Sequence, residues 1–388
     1  MRILSIHNNY QIRGGEDESC EAEESLLREM GHEVDVYKEH NDRIATISQV
    51  SIALRTVWST ESYNIVKHKL RRSHCHLVHI QNFFPLISPS VYYAAKSAGL
   101  PVVQTLRNYR LLCPNGLFFR DGEVCEDCLG KSVPLPGVLH GCYRQHHLAT
   151  TAVASMLTLH RLMHTWTEMV DFYITLTEFA RQKLIAGGLP AKKIVVKPNF
   201  VHPDPGVGQG SGGYALFVGR LSTEKGLDTL LAAWEHLDGK VPLKIVGDGP
   251  LAAQVIASVN RLPNVEWLGR RSMSEVYNLM GEAMFVIFPS KWYETFGRVA
   301  VEAFAKGTPV IAANIGAIAE LVESGRTGLH FTPGDSEDLT AKVLWAIANP
   351  ALLHQMRQEA RSEFELKYTA QQNYQQIMAI YQLVACTS

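Results

Sequence analysis

Several features that would assign this chain to a special class of protein are missing from its sequence. No run approaches the roughly 18 consecutive apolar residues that a membrane-spanning helix needs. The 37 basic and 38 acidic residues leave a net charge of −1, so a bulk attraction to nucleic acid is excluded. The start MRILSIHNNY has no small-residue cleavage site. We therefore expect it to be a first β-strand, not a signal peptide, and we expect a cytoplasmic protein.

The length and the pattern of the chain predict two α/β domains. Its 388 residues exceed the roughly 250–300 at which a single hydrophobic core stops growing. Strand-like runs alternate with amphipathic stretches, which favours doubly wound parallel sheets. The stretch 199–213 is rich in Gly and Pro and is predicted to be a linker. We predict domains at 1–200 and 201–368, with 369–388 as a helix that packs back toward the first domain.

Two loops that follow predicted strands have the composition of phosphate-binding loops. Gly14 and Gly15 come after the first strand and would let a ligand approach the N-terminus of the next helix. Arg220 and Lys225 lie in GRLSTEKG, after the strand YALFVG, where two cations would neutralise a diphosphate. The alternatives are a tight strand–helix turn for the first loop and a solvated basic loop for the second.

A third loop carries two carboxylates eight residues apart, in SKWYETFGRVAVEAFAKGTPVIA. Glu294 precedes a predicted helix, and the N–H groups of residues 295–297 would be free to bind a phosphate at its N-terminus. Glu302 lies within the apolar stretch VAVEAFA and should be buried. A buried carboxylate needs a hydrogen-bonding partner, for which ribose hydroxyls are suitable, although such pairs usually form only a polar helix face.

Five motifs follow one another through the second domain, in the order GRLSTEKG, IVGDGPL, VEWLGR, PSKWYETFGRVAVEAFAKGTPVIA and NIGAIAELVESGRTGLHFTPGD. They resemble the signature of the family 4 glycosyltransferases over about residues 213–340. The RGGE loop, HIQNFFPLISPS and NYRLLCP extend the resemblance more loosely over the first domain. It implies the GT-B fold, in which two Rossmann-like, doubly wound parallel-sheet domains face each other across a cleft.

The resemblance also implies an activity. It points to a retaining hexosyltransferase that moves a hexose from a nucleotide diphosphate sugar, such as a UDP- or GDP-sugar, without a catalytic metal or other cofactor. The acceptor would be a hydroxyl of a saccharide or of a lipid-linked molecule in polysaccharide or glycoconjugate synthesis. Arg220, Lys225 and Glu294 are the implied catalytic residues. The implied donor-binding residues are Gly14, Gly15, Gly219, Arg270, Phe296, Gly297 and Glu302.

One position departs from the family pattern, on the side of the acceptor. Many relatives carry a histidine followed by Asp or Asn after the strand that corresponds to PVVQTL, whereas this chain has Arg107 followed by Asn108. A guanidinium cannot accept a proton at neutral pH, so Arg107 would bind an acceptor anion or make a structural ion pair. His160 is the alternative acceptor-side histidine, although a core or surface residue is the commoner role at such a position.

The missing histidine leaves two other functions open. One is transfer to a sugar phosphate, as in sucrose-phosphate synthase, with Arg107 on the acceptor phosphate. The other belongs to a different class, a nucleotide-sugar-binding protein that has lost catalysis. Competition by fructose 6-phosphate would separate the first from a polymer or lipid-linked acceptor, and hydrolysis of the donor would exclude the second.

Four of the seven cysteines fall in one Gly- and Pro-rich insertion, at about 113–142. Their spacing, C-x11-C-x2-C-x13-C, indicates either a structural zinc site or thiols that bind no metal. The four are Cys113, Cys125, Cys128 and Cys142.

Basic clusters mark two stretches of the first domain, IVKHKLRRSHCH and GCYRQHHLATTAVASMLTLHRLMHTW. They suggest peripheral contact with the inner face of a membrane through first-domain basic helices, while a solvated polar face explains them equally well.

Overall fold

The computed structural model describes residues 1–386, which form two compact units. The first comprises Met1–Phe118, Cys125–Pro198 and the C-terminal segment from Asn373. The second comprises Phe119–Val124 and Asn199–Gln372. No helix among residues 1–386 is both long and apolar enough to cross a membrane.

Strands and helices alternate along the chain, as the sequence pattern predicts. The strands are β1 (Arg2–Asn9), β2 (Glu33–His40), β3 (Leu77–Asn82), β4 (Val102–Thr105), β5 (Phe119–Arg120), β6 (Glu123–Val124), β7 (Phe172–Thr175), β8 (Ile194–Val196), β9 (Ala215–Val218), β10 (Leu243–Val246), β11 (Val265–Gly269), β12 (Phe285–Phe288), β13 (Val310–Ala313) and β14 (Gly328–Phe331). The helices of the first half are α1 (Gly15–Glu29), α2 (Gln49–Val57), α3 (Thr60–Arg72), α4 (Ser90–Ser97), α5 (Leu135–Leu139), α6 (His147–Leu162), α7 (Thr165–Glu168) and α8 (Glu178–Ala186). Those of the second half are α9 (Leu227–Leu237), α10 (Ala252–Val259), α11 (Met273–Glu282), α12 (Arg298–Ala305), α13 (Gly316–Leu321), α14 (Ser336–Ala348), α15 (Pro350–Lys367) and α16 (Ala370–Cys386).

The first unit is built on a six-stranded sheet in the order β2-β1-β3-β4-β7-β8, and every pairing in it is parallel. The strand β3 is buried along its whole length, as expected for a sheet with helices on both faces. The helix α16 closes one face, because its apolar side chains Ile377, Tyr381 and Val384 join the core around Ile3 and Leu77.

The second unit has its own six-stranded parallel sheet, in the order β11-β10-β9-β12-β13-β14. Its core lies between this sheet and the helices α9 and α14, with Trp234 and Phe285 among its largest buried side chains. Each sheet reverses its strand order once, next to β1 in the first unit and next to β9 in the second. In open α/β sheets, ligands bind at the carboxyl ends of the strands at such points.

The predicted linker, 199–213, contains no helix or strand and is held to the second unit by hydrogen bonds. The ammonium of Lys306 donates to the carbonyl of Pro205 at 3.0 Å, and Arg361 pairs with Asp204 at 2.6 Å. These contacts fix the segment on the helices α12 and α15, so it has a defined path along the second unit.

Candidate functional site

The loop after β9 and the loop after β12 meet at the reversal point of the second sheet. Gly226 has φ of +69°, and a Cβ at this position would lie 1.9 Å from the carbonyl oxygen of Pro289. Only glycine therefore fits where the two loops cross. A hydrogen bond of 2.9 Å from the backbone N–H of Lys291 to the carbonyl of Glu224 joins them. The loops that carry Lys225 and Glu294 are thus in contact, as their positions after neighbouring strands predict.

Lys225 and Glu294 form an ion pair at this crossing. The same carboxylate oxygen, Oε1 of Glu294, also accepts hydrogen bonds of 3.0 Å from the hydroxyl of Ser290 and from the indole N–H of Trp292. The ammonium of Lys225 lies 5.4 Å from the ring centre of Trp292 and 5.9 Å from that of Phe288, at cation–π range. The pair is mostly buried, with side chains 23% and 11% exposed, so its charges act in a low dielectric.

Chemically, this cluster offers a fixed cation and a fixed carboxylate side by side. The cation can meet a phosphate, and the carboxylate can accept hydrogen bonds from sugar hydroxyls. The sequence identifies Lys225 and Glu294 but gives no reason to connect Ser290 or Trp292 with them. The only signal was that Ser290 and Trp292 lie four and two residues before Glu294 in the same loop.

Glu302 is buried as predicted, but it has a protein partner that the sequence argument omitted. The side-chain N–H of Arg298 donates to Glu302 at 2.7 Å, one helical turn earlier on α12. Its burial therefore does not by itself require a ribose, which corrects the argument made from the sequence. The i,i+4 spacing of the two residues was the signal for this pair.

The predicted catalytic residue Arg220 and the remaining donor-binding residues predicted in the second unit lie at the same edge of its sheet. Gly219 and Arg220 follow β9, and Arg270 follows β11, with both arginines exposed. Phe296 is buried, and Gly297 precedes the first residue of α12 with φ of +126°. These five residues come from loops at the carboxyl ends of β9, β11 and β12 in the second unit.

In the first unit, the Gly-Gly loop joins the loop after β4 through Glu16. The carboxylate of Glu16 accepts from the Tyr10 hydroxyl at 2.9 Å and from the Asn108 amide at 3.0 Å. Gly14 is extended, and a Cβ there would have only the carbonyl of Ile12 nearby, at 4.0 Å. Protein packing therefore does not require glycine at this position, and contact of Gly14 with a donor phosphate stays a prediction.

Asp17 holds the same loop in place through hydrogen bonds from His7 and Gly14. His7, at the end of β1, donates from Nε2 to Asp17 at 2.8 Å, and the backbone N–H of Gly14 donates to Asp17 at 3.2 Å. Burial opposes ionisation of Asp17, but the hydrogen bonds from His7 and Gly14 outweigh it and lower the pKa of the carboxyl. The pairing of β1 with β3 shifts register between Ile6 and His7, at the start of this site. No motif or spacing in the sequence indicates the pair of His7 and Asp17.

Arg107 lies in a buried polar cluster of the first unit, formed by Arg107, Gln81, Glu23 and Lys197. The guanidinium of Arg107 donates to the side-chain oxygen Oε1 of Gln81 at 2.9 Å. The side-chain nitrogen Nε2 of Gln81 in turn donates to the carboxylate of Glu23 at 2.5 Å. Lys197 completes the cluster with an ion pair to Glu23 at 2.7 Å. Burial works against the charge on Glu23, yet Lys197, His79 and Arg107 together lower its pKa to about 2. Arg107 is only 6% exposed, so the cluster accounts for it as a structural cation, and its contact with an acceptor stays a prediction.

His160 is a core histidine, which is the role that the sequence analysis describes as the commoner one at such a position. It is fully buried on α6, and its ring nitrogens bond the Thr165 hydroxyl and the carbonyl of Val57, both at 2.9 Å. Burial lowers its pKa, so the ring is neutral. Because both nitrogens are occupied inside the first unit, we leave His160 out of the proposed acceptor site. Asn108 remains in it.

The four clustered cysteines are present as thiols, and three of them are near enough to Cys128 to affect its pKa. Burial, together with the neighbouring thiols of Cys113, Cys142 and Cys125, raises the pKa of Cys128 to about 11. Across residues 1–386, no three or more His, Cys, Asp or Glu side chains are arranged to hold a metal ion. The neighbouring thiols thus favour the prediction of a zinc site. The described residues, however, do not already form an arrangement of ligands around a metal position.

Two parallel-sheet units of this kind define the class of fold. HepE of Anabaena, solved in complex with UDP, aligns over 98% of this chain and 100% of its own with a TM-score of 0.70 and 19% identity. Sucrose-phosphate synthase of Thermosynechococcus elongatus aligns over 100% of both chains with a TM-score of 0.74 and 17% identity. The chain has the GT-B fold, and the predicted fold class is confirmed.

The family follows from the sequence of the second unit. Residues 209–363 match the family model described as Glycosyl transferases group 1. The uncharacterized glycosyltransferase MJ1178 of Methanocaldococcus jannaschii is 32% identical over 192 residues, which cover 49% of this chain and 54% of that relative. The chain thus spans about half the length of this curated relative. The matched segment is a group 1 glycosyltransferase segment, and the resemblance to the family 4 glycosyltransferases that its motifs carry is confirmed.

Proposed function

We propose that the protein is a glycosyltransferase that moves a hexose from a nucleotide diphosphate sugar to a hydroxyl of an acceptor. The observation that carries this proposal is the cluster of Lys225, Glu294, Ser290 and Trp292. It lies at the reversal point of the second sheet and within the segment that matches the family. A cation for the diphosphate and a carboxylate for the sugar are what such a donor needs from the protein.

The donor is a UDP-sugar in this proposal, ahead of a GDP-sugar. Support comes from HepE, which has been solved with UDP and with UDP and glucose. We further propose that transfer retains the anomeric configuration, needs no catalytic metal and occurs in the cytoplasm. A saccharide or lipid-linked acceptor in polysaccharide or glycoconjugate synthesis is the proposed second substrate, with Asn108 on its side of the site and Arg107 kept in its buried cluster.

Binding of the donor requires Lys225 to change partners. The ammonium leaves Glu294 and neutralises the diphosphate, with Arg220 providing a second cation from the same loop. Ser290 and Trp292 keep their hydrogen bonds to Glu294, so the carboxylate stays in place to accept from hydroxyls of the sugar. As the bond to the sugar breaks, negative charge grows on the leaving diphosphate, and Lys225 and Arg220 stabilise it.

Thermal unfolding with a panel of UDP-, GDP- and ADP-sugars tests this function. We expect one class of nucleotide sugar to stabilise the protein, because a ligand at 100 times its Kd adds about 2.7 kcal/mol to the folded state. Slow hydrolysis of the same donor, measured by release of the nucleoside diphosphate, separates an enzyme from a protein that only binds. No stabilisation by any of the three classes would refute the proposal.

Transfer to a sugar phosphate gains no support from the structure of the first unit. That alternative needs Arg107 on the acceptor phosphate, and the guanidinium is buried against Gln81. We therefore do not propose it as a second function, and absence of competition by fructose 6-phosphate is the expected result.

We also predict that the cysteine cluster takes up one structural Zn²⁺ per chain. Thiols must lose their protons to bind zinc, so uptake should release protons and weaken at acid pH. Metal content by mass spectrometry checks this, with Cys128→Ser expected to lose the ion and to lower the Tm. Cys75→Ser, outside the cluster, serves as the control. Absence of zinc from wild-type protein, together with a Tm unchanged by a chelator, would contradict the prediction.

A further inference from the structure

A cleft of about 260 Å³ opens in the first unit where the end of α6, the short α7 and the end of α8 meet the cysteine-rich insertion. We call it the α6–α8 cleft, and its polar side chains are those of Ser132, Arg161, His164, Trp166 and Thr167. Most of its lining, from 161–167 and 187–189, comes shortly before β7 and β8, at the amino ends of these strands. The predicted acceptor residue Asn108 follows β4, at the opposite, carboxyl edge of the sheet. The cleft is therefore separate from the predicted acceptor residues.

The guanidinium of Arg161 has no acidic partner in this cleft. Among residues 1–386 it donates only to two carbonyls, that of Ser132 at 3.0 Å and that of Lys131. Burial lowers the pKa of Arg161, and no carboxylate is close enough to oppose that shift. The acids Glu126 and Asp171 of neighbouring segments are each paired with a lysine at 2.5 Å. The positive charge of Arg161 is thus partly buried without a counter-charge.

The indole N–H of Trp166 is a second donor without an acceptor. The ring packs against Phe83 and Tyr92 at centre distances of 6.0 and 6.1 Å, and Trp166 is only 4% exposed. Within residues 1–386, its buried Nε1 has no hydrogen-bond partner. Buried donors in folded proteins are nearly always hydrogen-bonded, so this one calls for an acceptor in the cleft that Trp166 lines.

The remaining polar groups make the cleft suitable for an anion. Arg and Trp side chains can donate hydrogen bonds but cannot accept them, and the Thr167 hydroxyl already donates to the carbonyl of His164 at 3.1 Å. Of the described residues, no Asp or Glu lines the cleft, and Glu168 lies outside its lining. The ammonium of Lys193 adds positive charge nearby, because it donates to the carbonyl of Thr167 at 2.8 Å. A ligand that satisfies these donors needs negative charge and at least two acceptor oxygens.

We propose that the α6–α8 cleft binds a small oxyanion, a phosphate or carboxylate group, between Arg161 and Trp166. A guanidinium binds such groups through parallel hydrogen bonds, and the indole N–H would donate to a further oxygen. The cleft, at about 260 Å³, is smaller than the roughly 300–1,000 Å³ typical of ligand pockets, so a small anion fits it better than a nucleotide sugar. This inference does not depend on the proposed transferase activity.

Nuclear magnetic resonance of the full chain, labelled with ¹⁵N at the tryptophan indoles, tests the site. We expect the Trp166 resonance, assigned by its loss in Trp166→Phe, to shift saturably with inorganic phosphate or with succinate at constant ionic strength. A shift with only one of the two identifies the group that the cleft recognises. The resonance of Trp292, which lies beside Lys225, reports separately on phosphate bound in the proposed donor site.

Replacement of Arg161 makes the test specific. Arg161→Met removes the charge and keeps most of the stem, so the Kd measured from the Trp166 shift should rise by at least about tenfold. Arg28→Met is the matched control, because Arg28 also donates to a carbonyl, that of Val34 at 3.1 Å, and it should leave the Kd unchanged. The Tm of each variant checks folding.

Three results would overturn the proposal. The first is a Trp166 resonance that does not move with either anion up to about 10 mM, where even a site of millimolar Kd is mostly filled. The second is an equal shift with sodium chloride alone, which would show a general salt effect. The third is an unchanged Kd in folded Arg161→Met. If that variant does not fold, the titrations of the wild type still decide the question.

Discussion

Replacing Lys225 with alanine should lower the rate of sugar transfer by at least about 100-fold, because loss of one preorganised charge-stabilising group typically costs a factor of 10² to 10³. The ammonium pairs with Glu294 and lies near the rings of Trp292 and Phe288, so it is already in the loop and only has to exchange Glu294 for the diphosphate when the donor binds. Removing it leaves the departing diphosphate without its nearest cation. The measurement is kcat for donor hydrolysis or transfer, together with the Kd for UDP from calorimetry.

Two further variants make this result specific. Glu294→Gln should reduce kcat as strongly while leaving the Tm close to wild type, because the amide keeps the size of the side chain but not its charge. Trp292→Phe keeps a ring beside Lys225 and removes only the hydrogen bond to Glu294, so a smaller loss is expected. Lys342→Ala, at an exposed ion pair on α14, is the control. Full activity of both the Lys225 and the Glu294 variant would show that the donor binds elsewhere.

The loops that carry Lys225 and Glu294 could be predicted because the information that forms them is local. Strand, turn and helix follow one another in GRLSTEKG and in SKWYETFG, and the reversal of strand order brings the two loops together. The hydrogen bond from Trp292 to Glu294 could not be predicted, because it depends on the rotamers of a tight loop. For Glu302, the sequence predicted burial correctly but not the partner, since the i,i+4 pair with Arg298 competes with a ligand for the same carboxylate.

The buried polar cluster of the first unit was harder to predict because its contacts are long-range. Lys197 meets Glu23 across 174 positions of the chain, and Arg107 reaches the same cluster through Gln81. No periodicity or spacing connects these residues, although each is chemically conspicuous once it is known to be buried. The same limit applies to the α6–α8 cleft. Its lining comes from separate stretches of the chain, and only the structure shows that they meet.

The ion pair of Glu23 with Lys197 should be the most sensitive point of the first unit, and Lys197→Met should destabilise that unit by about 3–5 kcal/mol. Both side chains are almost fully buried, so removing the ammonium leaves a carboxylate in a low dielectric with only Gln81, the His79 ring at 3.6 Å and the more distant Arg107 near it. Lys192→Met, at an exposed position, should change stability by less than about 0.5 kcal/mol and is the control. The chain has two units, so one overall unfolding transition does not report the stability of the first unit alone. Amide hydrogen exchange in β1 and β3, which belong to the first unit, measures that stability directly.

The dependence on pH distinguishes loss of this charge pair from loss of packing. In the wild type, the pKa of Glu23 falls from 4.5 to about 2 on folding, so the pair stabilises the unit above pH 4.5 and that contribution is lost as the pH falls toward 2. In the Lys197→Met variant, the Glu23 carboxyl has lost its nearest cation and takes up a proton at a higher pH than in the wild type. The protonated carboxyl is neutral, so its burial costs less free energy. The difference in stability between wild type and variant should therefore be large at pH 7 and should shrink below about pH 4. A difference that stays constant between pH 7 and pH 4 would show that Lys197 stabilises the unit through its packed hydrocarbon stem, and not through its charge.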